Sequence, residues 1–466
     1  MNESRSSLFE KLRAAGQEHV LRFADELSPE ARQRLENQVR QLDLDLLAKL
    51  GREEVDVPDW EALARRSTPP PAFRLDDSNS DVTPEQARRR GEQALREGKV
   101  AAILVAGGQG SRLGFDHPKG MFPIGPVSGH SLFQILIERV LATARRYQAS
   151  VPLFVMTSPA THDETVAYLD ANDRFGMSTE DLIIFCQGTM PAVDANTGGI
   201  LLSDTDSLAL APDGHGGMLA ALHNSGALDE ARERGIEVFS YGQIDNPLVQ
   251  ICQPELVGYH LLADSEMTTQ VIEKQDPLDK VGNVVMVDGQ MRIIEYSDLP
   301  EDVANMRNPD GSLWIWAGSI AVHVFDRAFL ERMAGQADAL PFHQAVKKVT
   351  YVDESGNRQR PEQPNAIKFE RFIFDLLPWA SNAIVVEGNP CEVFAPVKNA
   401  DEADVDTPTT ARNAMIQLHA KWLRLAGATV LESVAVEISP LWALDEQQVR
   451  ERARLPLVIK QPTFFH

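Results

Sequence analysis

The chain has 466 residues, of which 43% are hydrophobic and 24% charged, a composition typical of a globular protein with room for two or three domains. Its formal net charge of -23 opposes binding to nucleic acids and to anionic membrane surfaces. The sequence has no apolar run near the ~20 residues that span a bilayer, no signal-peptide core, and no disulfide or metal spacing among its 3 cysteines. We therefore expect a cytoplasmic protein, whose oligomeric state the sequence leaves open.

Residues 1–95 are predicted to form mainly helices, the last of which begins with a capping-box pattern at Thr83 and ends at Gly98. Further along, short apolar runs alternate with helical segments, including a helix at residues 132–147. The apolar runs lie at residues 100–105, 151–156, 182–185, 236–241 and 269–272. This alternation predicts an α/β fold with a mostly parallel sheet flanked by helices.

The last part of the chain contains a predicted hairpin and a small terminal domain. Asp288 and Gly289 separate two apolar runs, which indicates a type I′ turn. A helix at residues 409–426 and short strands follow. We therefore expect three consecutive regions. They are an N-terminal helical region at residues 1–95, a catalytic domain at residues 96–389 and a small C-terminal domain at residues 390–466.

A glycine-rich loop follows the first predicted strand. Residues 104–114 read LVAGGQGSRLG, and Pro-Lys-Gly follows at residues 118–120. Closely spaced glycines bring backbone N–H groups near a ligand with no Cβ in the way, which favours phosphate oxygens. Arg112 adds a guanidinium fork and Lys119 a mobile charge. The spacing fits neither a P-loop nor a dinucleotide fingerprint. The alternative is a plain strand-to-helix turn.

The loop and its Pro-Lys-Gly triplet resemble the signature of UDP-sugar pyrophosphorylases, especially the eukaryotic-type UDP-N-acetylglucosamine pyrophosphorylases. Further blocks extend the resemblance over most of the chain. They include QGTMP at 187–191, GHGG at 214–217, DN at 245–246 and PVKNA at 396–400. The resemblance implies a Rossmann-like (GT-A-like) nucleotidyltransferase that forms a UDP-sugar and pyrophosphate from UTP and a sugar 1-phosphate.

The resemblance also implies roles for particular residues. The implied catalytic cations are Arg112, Lys119 and Lys398. The implied nucleotide-binding residues are Leu104, Ala106, Gly107, Gly108, Gly110, Gln187, Gly214, His215 and Gly216. The implied sugar-binding residues are Asn246, Gly282, Glu295, Ser319 and Lys348, or its neighbour Lys347. His215 is expected to contact the ligand rather than to act as a general base.

Asp245 is the predicted ligand of a Mg²⁺ cofactor. It follows a predicted strand, and open α/β sheets bind ligands at the carboxyl ends of their strands. Mg²⁺ favours a few carboxylates together with substrate oxygens. The alternative for Asp245 is an Asx turn before Pro247, but the resemblance favours the metal.

The identity of the sugar substrate cannot be inferred from the resembling enzymes. They have Asn-Ala-Gly-Asn where this chain has Trp316, Ala317, Gly318 and Ser319, so both asparagines are replaced. N-acetylglucosamine 1-phosphate and glucose 1-phosphate both stay open. Trp314 and Trp316 are expected either to stack on a sugar or base or to belong to the core. The alternative function is a catalytically silent relative that binds UDP-sugar as a sensor or scaffold.

Overall fold

The computed structural model describes residues 5–52, 59–76, 81–336 and 339–466. The helices are α1 (Arg5–Ala14), α2 (Pro29–Arg40), α3 (Leu44–Arg52), α4 (Trp60–Arg65), α5 (Pro84–Arg96), α6 (Leu132–Tyr147), α7 (His162–Ala171), α8 (Gly217–Asn224), α9 (Ala227–Glu233), α10 (Pro254–Leu262), α11 (Glu301–Ala304), α12 (Arg327–Ala334), α13 (Pro390–Val393), α14 (Pro408–Leu425) and α15 (Glu446–Arg452). Within these described ranges, no helix has the length and apolar character needed to cross a membrane.

The strands are β1 (Ala72–Phe73), β2 (Val100–Val105), β3 (Leu153–Thr157), β4 (Leu182–Cys186), β5 (Thr189–Pro191), β6 (Val193–Asp194), β7 (Leu202–Asp204), β8 (Ser207–Leu208), β9 (Leu210–Pro212), β10 (Val238–Gln243), β11 (Met267–Glu273), β12 (Gly282–Val287), β13 (Gln290–Ile294), β14 (Ala317–Asp326), β15 (His343–Lys347), β16 (Tyr351–Val352), β17 (Arg358–Gln359), β18 (Ala366–Glu370), β19 (Ala383–Glu387), β20 (Thr429–Val430), β21 (Val436–Ile438), β22 (Val458–Ile459) and β23 (Thr463–Phe465). Short 3-10 helices lie at Glu18–Leu21, Ser111–Leu113, Lys119–Met121, Asp173–Gly176 and Ile373–Trp379.

The chain divides into two compact units. The first comprises Met1–Asp59, Gln187–Met218 and Leu340–Asp375, and the second comprises Trp60–Cys186, Leu219–Ala339 and Leu376–His466. These bounds do not coincide with the three predicted regions, because strands far apart in sequence pair within the first unit. There, β18 pairs with β15 and also with β6.

The second unit is built on a sheet of 10 strands, in the order β1-β19-β11-β14-β10-β2-β3-β4, with β12 and β13 attached through β14. All of them except β14 and β13 point in the same direction. The carboxyl ends of the parallel strands therefore lie at one edge. This architecture confirms the predicted α/β class with a mostly parallel sheet.

The close approach of α5 and α10 in this unit depends on two glycines at the point where the helices cross. A Cβ on Gly91 would lie 1.9 Å from the Pro254 carbonyl oxygen, and a Cβ on Gly258 would lie 1.7 Å from the Ala87 oxygen. Any larger side chain would separate the helices. In the same core, Leu418 of α14 clusters with residues of α6 and β2. Most of the predicted C-terminal domain thus shares the hydrophobic core of the sheet.

Candidate active site

The predicted glycine loop begins where β2 leaves the core of the sheet. Leu104 and Ala106 are fully buried. The Ala106 N–H donates to the Met156 carbonyl of β3 at 2.8 Å. Both side chains therefore belong to the core, and only main-chain atoms of these two residues are left to contact a nucleotide.

The loop itself presents free backbone donors. In the described part of the chain, the N–H groups of Gly107 and Gly108 bond no acceptor. A Cβ on Gly108 would meet nothing within 4 Å, so packing within the protein does not require glycine there. Gly110 differs, because a Cβ there would lie 2.7 Å from the Phe115 carbonyl oxygen. The glycine at 110 shapes the turn, whereas the chain at 107–108 is open to an approaching anion.

Strand pairing brings Asp245 next to this loop. Gln243 at the end of β10 pairs in register with Val105 at the end of β2, and the Ile244 N–H donates to the Val105 carbonyl at 3.0 Å. Asp245 follows directly and is half-buried. The prediction that Asp245 lies at the carboxyl edge of the sheet is confirmed.

Two of the predicted catalytic cations, Arg112 and Lys398, lie near the third, Lys119. Burial lowers the pKa of the Lys119 ammonium, Asp245 acts in the opposite direction, and Arg112 and Lys398 lower it further. The Lys119 Nζ donates to the Val397 carbonyl at 3.2 Å. Three cations facing one carboxylate, in a chain with a net charge of -23, form a site suited to a polyphosphate.

Asn246 holds the segment that leads to Lys398. Its Nδ2 donates to the Val393 carbonyl at 2.7 Å, and its Oδ1 accepts from the Ala395 N–H at 3.1 Å and the Leu248 N–H at 3.2 Å. The residue is only 4% exposed. The amide thus has three buried protein partners, and its predicted sugar contact stays a prediction.

A second carboxylate, Asp406, lies close to Asp245. Its carbonyl accepts from the Lys398 N–H at 2.7 Å. Burial raises the pKa of the Asp406 carboxyl, Lys398 lowers it, and Asp245 raises it. No local pattern singles out Asp406, because it ends an acidic run at residues 401–406 that is typical of a solvated loop. Its only signal is its position shortly after the PVKNA block.

The two carboxylates fit Mg²⁺. This ion is commonly held by one or two carboxylates and by oxygens of a substrate phosphate. Among the residues with described positions, no group of three or more His, Cys, Asp or Glu could hold a metal. Phosphate oxygens and water would therefore have to complete the coordination of an ion bound at Asp245.

In the first unit, Gln187 and Gly214 form a hydrogen-bonded corner. The Gln187 Nε2 donates to the Asp213 Oδ1 at 3.1 Å and to the Gly214 carbonyl at 3.2 Å. The Gln187 Oε1 is the atom left to accept from a ligand. Gly214 has a φ of 84°, and a Cβ there would lie 2.4 Å from the Arg371 carbonyl oxygen. At Gly216 a Cβ would lie 2.7 Å from the Arg371 carbonyl carbon.

His215 is a neutral hydrogen-bonding residue in the same unit. Its Nδ1 accepts from the Ile373 N–H at 3.3 Å, which leaves the proton on Nε2. Burial, and then the neighbouring His343, lower the pKa of His215 to about 4. Its ring stacks on Phe372, with ring centroids 5.4 Å apart. A ring that stays neutral and has one N–H to offer is suited to ligand contact and unsuited to act as a base at neutral pH.

Three of the predicted sugar-binding residues lie together in the second unit. Gly282 of β12 pairs in register with Ser319 of β14. A Cβ on Gly282 would lie 3.3 Å from the Glu295 Oε1 and 2.7 Å from the Ile293 Cγ2. Glycine at 282 therefore keeps open the space beside the Glu295 carboxylate.

The two tryptophans differ in their surroundings. Trp316 is 6% exposed, and the Arg74 guanidinium lies 3.7 Å from the ring centroid. Trp314 donates from Nε1 to the Ser67 carbonyl at 3.3 Å. Trp316 thus belongs to the core and to an arginine stack. Lys348, in the first unit, is exposed directly after β15, and its predicted sugar contact stays a prediction.

Comparison with known proteins identifies the family. The sequence profile described as UTP--glucose-1-phosphate uridylyltransferase matches residues 53–448. The chain belongs to this uridylyltransferase family. Human UDP-N-acetylhexosamine pyrophosphorylase-like protein 1 is 38% identical over 444 residues, which cover 91% of this chain and 86% of the human one. The UDP-N-acetylglucosamine pyrophosphorylase of Saccharomyces cerevisiae is 35% identical over 358 residues, 75% of each chain.

A solved structure shares the uridylyltransferase fold. The uridine diphosphate N-acetylglucosamine pyrophosphorylase from Trypanosoma brucei, in complex with inhibitor, matches with a TM-score of 0.83 at 24% identity, over 100% of this chain and 99% of that one. The predicted resemblance to UDP-sugar pyrophosphorylases is therefore confirmed at the level of family and fold.

Proposed function

We propose that the chain is a uridylyltransferase that converts UTP and a sugar 1-phosphate into a UDP-sugar and pyrophosphate. Membership of the family supports the reaction class. The observation that carries the proposal is the gathering of Arg112, Lys119 and Lys398 with Asp245. These side chains come from separate segments, and strand pairing brings Asp245 to the open N–H groups of the glycine loop.

The reaction is an in-line displacement at the α-phosphorus of UTP. An oxygen of the sugar phosphate forms the new P–O bond, while the bond from the α-phosphorus to the oxygen bridging the β-phosphate breaks. Pyrophosphate leaves with the bonding electron pair. A sugar phosphate is already ionised at neutral pH, so the attack needs no general base. Catalysis then consists mainly of positioning two anions and neutralising their charge.

Each cation has a separate part in that neutralisation. Arg112 is exposed and offers its guanidinium to the departing pyrophosphate. Lys119 is fixed by the Val397 carbonyl, a neutral acceptor that leaves its positive charge available to phosphate. Lys398, one residue further on, faces the same phosphates. A Mg²⁺ ion held by Asp245, with Asp406 nearby, would supply further positive charge when bound.

The first unit supplies the contacts to uracil. Uracil offers one N–H donor and carbonyl acceptors along its edge. We assign the Gln187 Oε1 to accept that N–H and the His215 Nε2–H to donate to a uracil carbonyl, since the other polar atom of each side chain already has a protein partner. Gly214 and Gly216 flank His215 and shape the turn that carries it. For the sugar we assign Gly282, Glu295, Ser319 and Lys348.

Pyrophosphate release from UTP tests this function, measured with N-acetylglucosamine 1-phosphate, glucose 1-phosphate and other sugar 1-phosphates. Lys119→Met and Arg112→Met are each expected to reduce turnover by about 100-fold or more, since each removes a charge from the transition state. Lys460→Met changes an exposed lysine and serves as the matched control. UTP binding without pyrophosphate release from any sugar would identify a silent binding protein. Full turnover in Lys119→Met would refute the assigned site.

A further inference from the structure

A second cationic cavity lies in the second unit and includes none of the residues assigned above. It is formed by one face of α6, the α5 residue Arg88, residues 250–255 and residues 444–445, and its volume is about 80 Å³. By this measure a cavity needs about 10–15 Å³ to hold one water molecule. The cavity therefore has room for a small ion of several atoms.

Arg139 of α6 is a wall residue of this cavity, and its charge is unbalanced. It is only 8% exposed. Its Nε has no hydrogen-bond partner, and its guanidinium forms no ion pair with any described residue. The adjacent Glu138 carboxylate accepts from Gln134 and Ser439 instead. Burial lowers the pKa of Arg139 to about 10, so the side chain is still charged at neutral pH.

The other charges in the wall are already paired. Arg146 donates to the Asp445 Oδ2 at 2.6 Å, and Arg88 lies 3.3 Å from the same oxygen and 3.6 Å from the Glu255 Oε1. Arg88 also pairs with Glu92, which lies outside the wall. The wall thus has three arginines and two carboxylates, and both carboxylates belong to Arg88 and Arg146. Among the described residues, Arg139 is the arginine of this wall that has no carboxylate partner.

A buried cation without a partner is costly, so native proteins pair such groups or bind a counter-ion to them. We propose that this cavity binds a small oxyanion, either free phosphate or the phosphate group of a small phosphorylated metabolite, with Arg139 as its main partner. A guanidinium offers two parallel N–H donors to such an oxyanion. This inference is independent of the proposed catalytic site.

Thermal unfolding in a series of inorganic phosphate concentrations tests the site, with chloride at matched ionic strength as the baseline. The Tm of the unmodified chain should rise with phosphate beyond the chloride baseline, because a ligand that binds the folded state stabilises it. Arg139→Met should lose this rise and should have an equal or higher Tm without phosphate. Arg145→Met, an exposed position on α6, should keep the full rise.

Two further arms separate the alternatives. The double variant Lys119→Met/Arg112→Met removes charges from the glycine loop. A phosphate-dependent rise in Tm that persists in this variant and depends on Arg139 therefore belongs to the cavity. Glycerol 3-phosphate in place of phosphate shows whether a phosphomonoester enters, and no rise with it restricts the ligand to free phosphate. If Arg139→Met does not fold, Arg139→Lys should show a weakened rise. An undiminished rise in either Arg139 variant, or no rise in the unmodified chain, overturns the proposal.

Discussion

Asn246→Ala removes the amide that ties the end of β10 to the segment before Lys398. Three hydrogen bonds disappear, to Val393, Ala395 and Leu248. At a net contribution of about 1 kcal/mol each, their loss should lower the free energy of unfolding by about 3 kcal/mol. Because Val393 and Ala395 are buried, water cannot easily replace the lost partner.

The same substitution should also reduce turnover, because this segment continues to Val397. The Val397 N–H donates to the Asp245 carbonyl at 2.8 Å, and the Val397 carbonyl accepts from Lys119. Loosening the segment therefore moves the acceptor that fixes the Lys119 ammonium. We expect a kcat at least about ten-fold lower under conditions where the variant is fully folded.

Urea unfolding followed by tryptophan fluorescence, and pyrophosphate release at saturating substrates, measure the two effects. Asn389→Ala is the matched control, because within the described part of the chain the Asn389 Oδ1 accepts from the Cys391 N–H alone, at 3.1 Å, as the N-cap of α13. It should cost about 1 kcal/mol and leave kcat unchanged. If Asn246→Ala behaves like Asn389→Ala in both measurements, the positioning role of Asn246 is wrong.

Three further predictions use local geometry. Gly214→Ala should lower the free energy of unfolding by more than about 1 kcal/mol, since its φ is 84° and the new Cβ would meet the Arg371 backbone at 2.4 Å; an unchanged urea midpoint would contradict this. Gly108→Ala should leave stability within about 0.5 kcal/mol, because its Cβ meets open space, and should weaken UTP binding in calorimetry; unchanged affinity would show that no phosphate approaches there. Burial lowers the pKa of Lys274 from 10.5 to about 8. Between those two pKa values Lys274 holds its proton more often in the unfolded chain than in the folded one. The free energy of unfolding, compared with that of Lys274→Met by urea midpoints, should therefore rise from pH 8 to pH 10. A constant difference between the two proteins would contradict this.

The sequence predicts best the elements that local pattern determines. β2 and α6 have the predicted bounds, because a continuous apolar run and a strong amphipathic period leave little choice at their ends. The hairpin turn is confirmed, with φ values of 50° at Asp288 and 81° at Gly289. β11 extends beyond its predicted residues 269–272 to Met267–Glu273, because pairing with β14 and β19 recruits its flanking residues.

The residues of the candidate site also differ in how far the sequence predicts them. Arg112 and Lys119 lie within one short motif, so their spacing alone indicates a phosphate loop. Asp406 and the role of Asn246 depend on contacts between distant parts of the chain, such as the bond from Asn246 to Val393. No local pattern reports such contacts. The two compact units escape prediction for the same reason, because each joins three segments that are not consecutive in the sequence.

Two partly buried cations of this chain, Arg74 and Lys119, differ in the group that they contact, and this difference separates a structural role from ligand binding. Arg74 donates to the Glu387 Oε2 at 2.7 Å and stacks on Trp316, so its charge is neutralised and its position is structural. Lys119 instead donates to a main-chain carbonyl, which fixes the ammonium without cancelling its charge. A carboxylate in that place would have to be displaced by the incoming phosphate, at the cost of leaving a buried anion unpaired. A neutral acceptor avoids this cost, which is why a strongly acidic chain can still hold a cation ready for UTP.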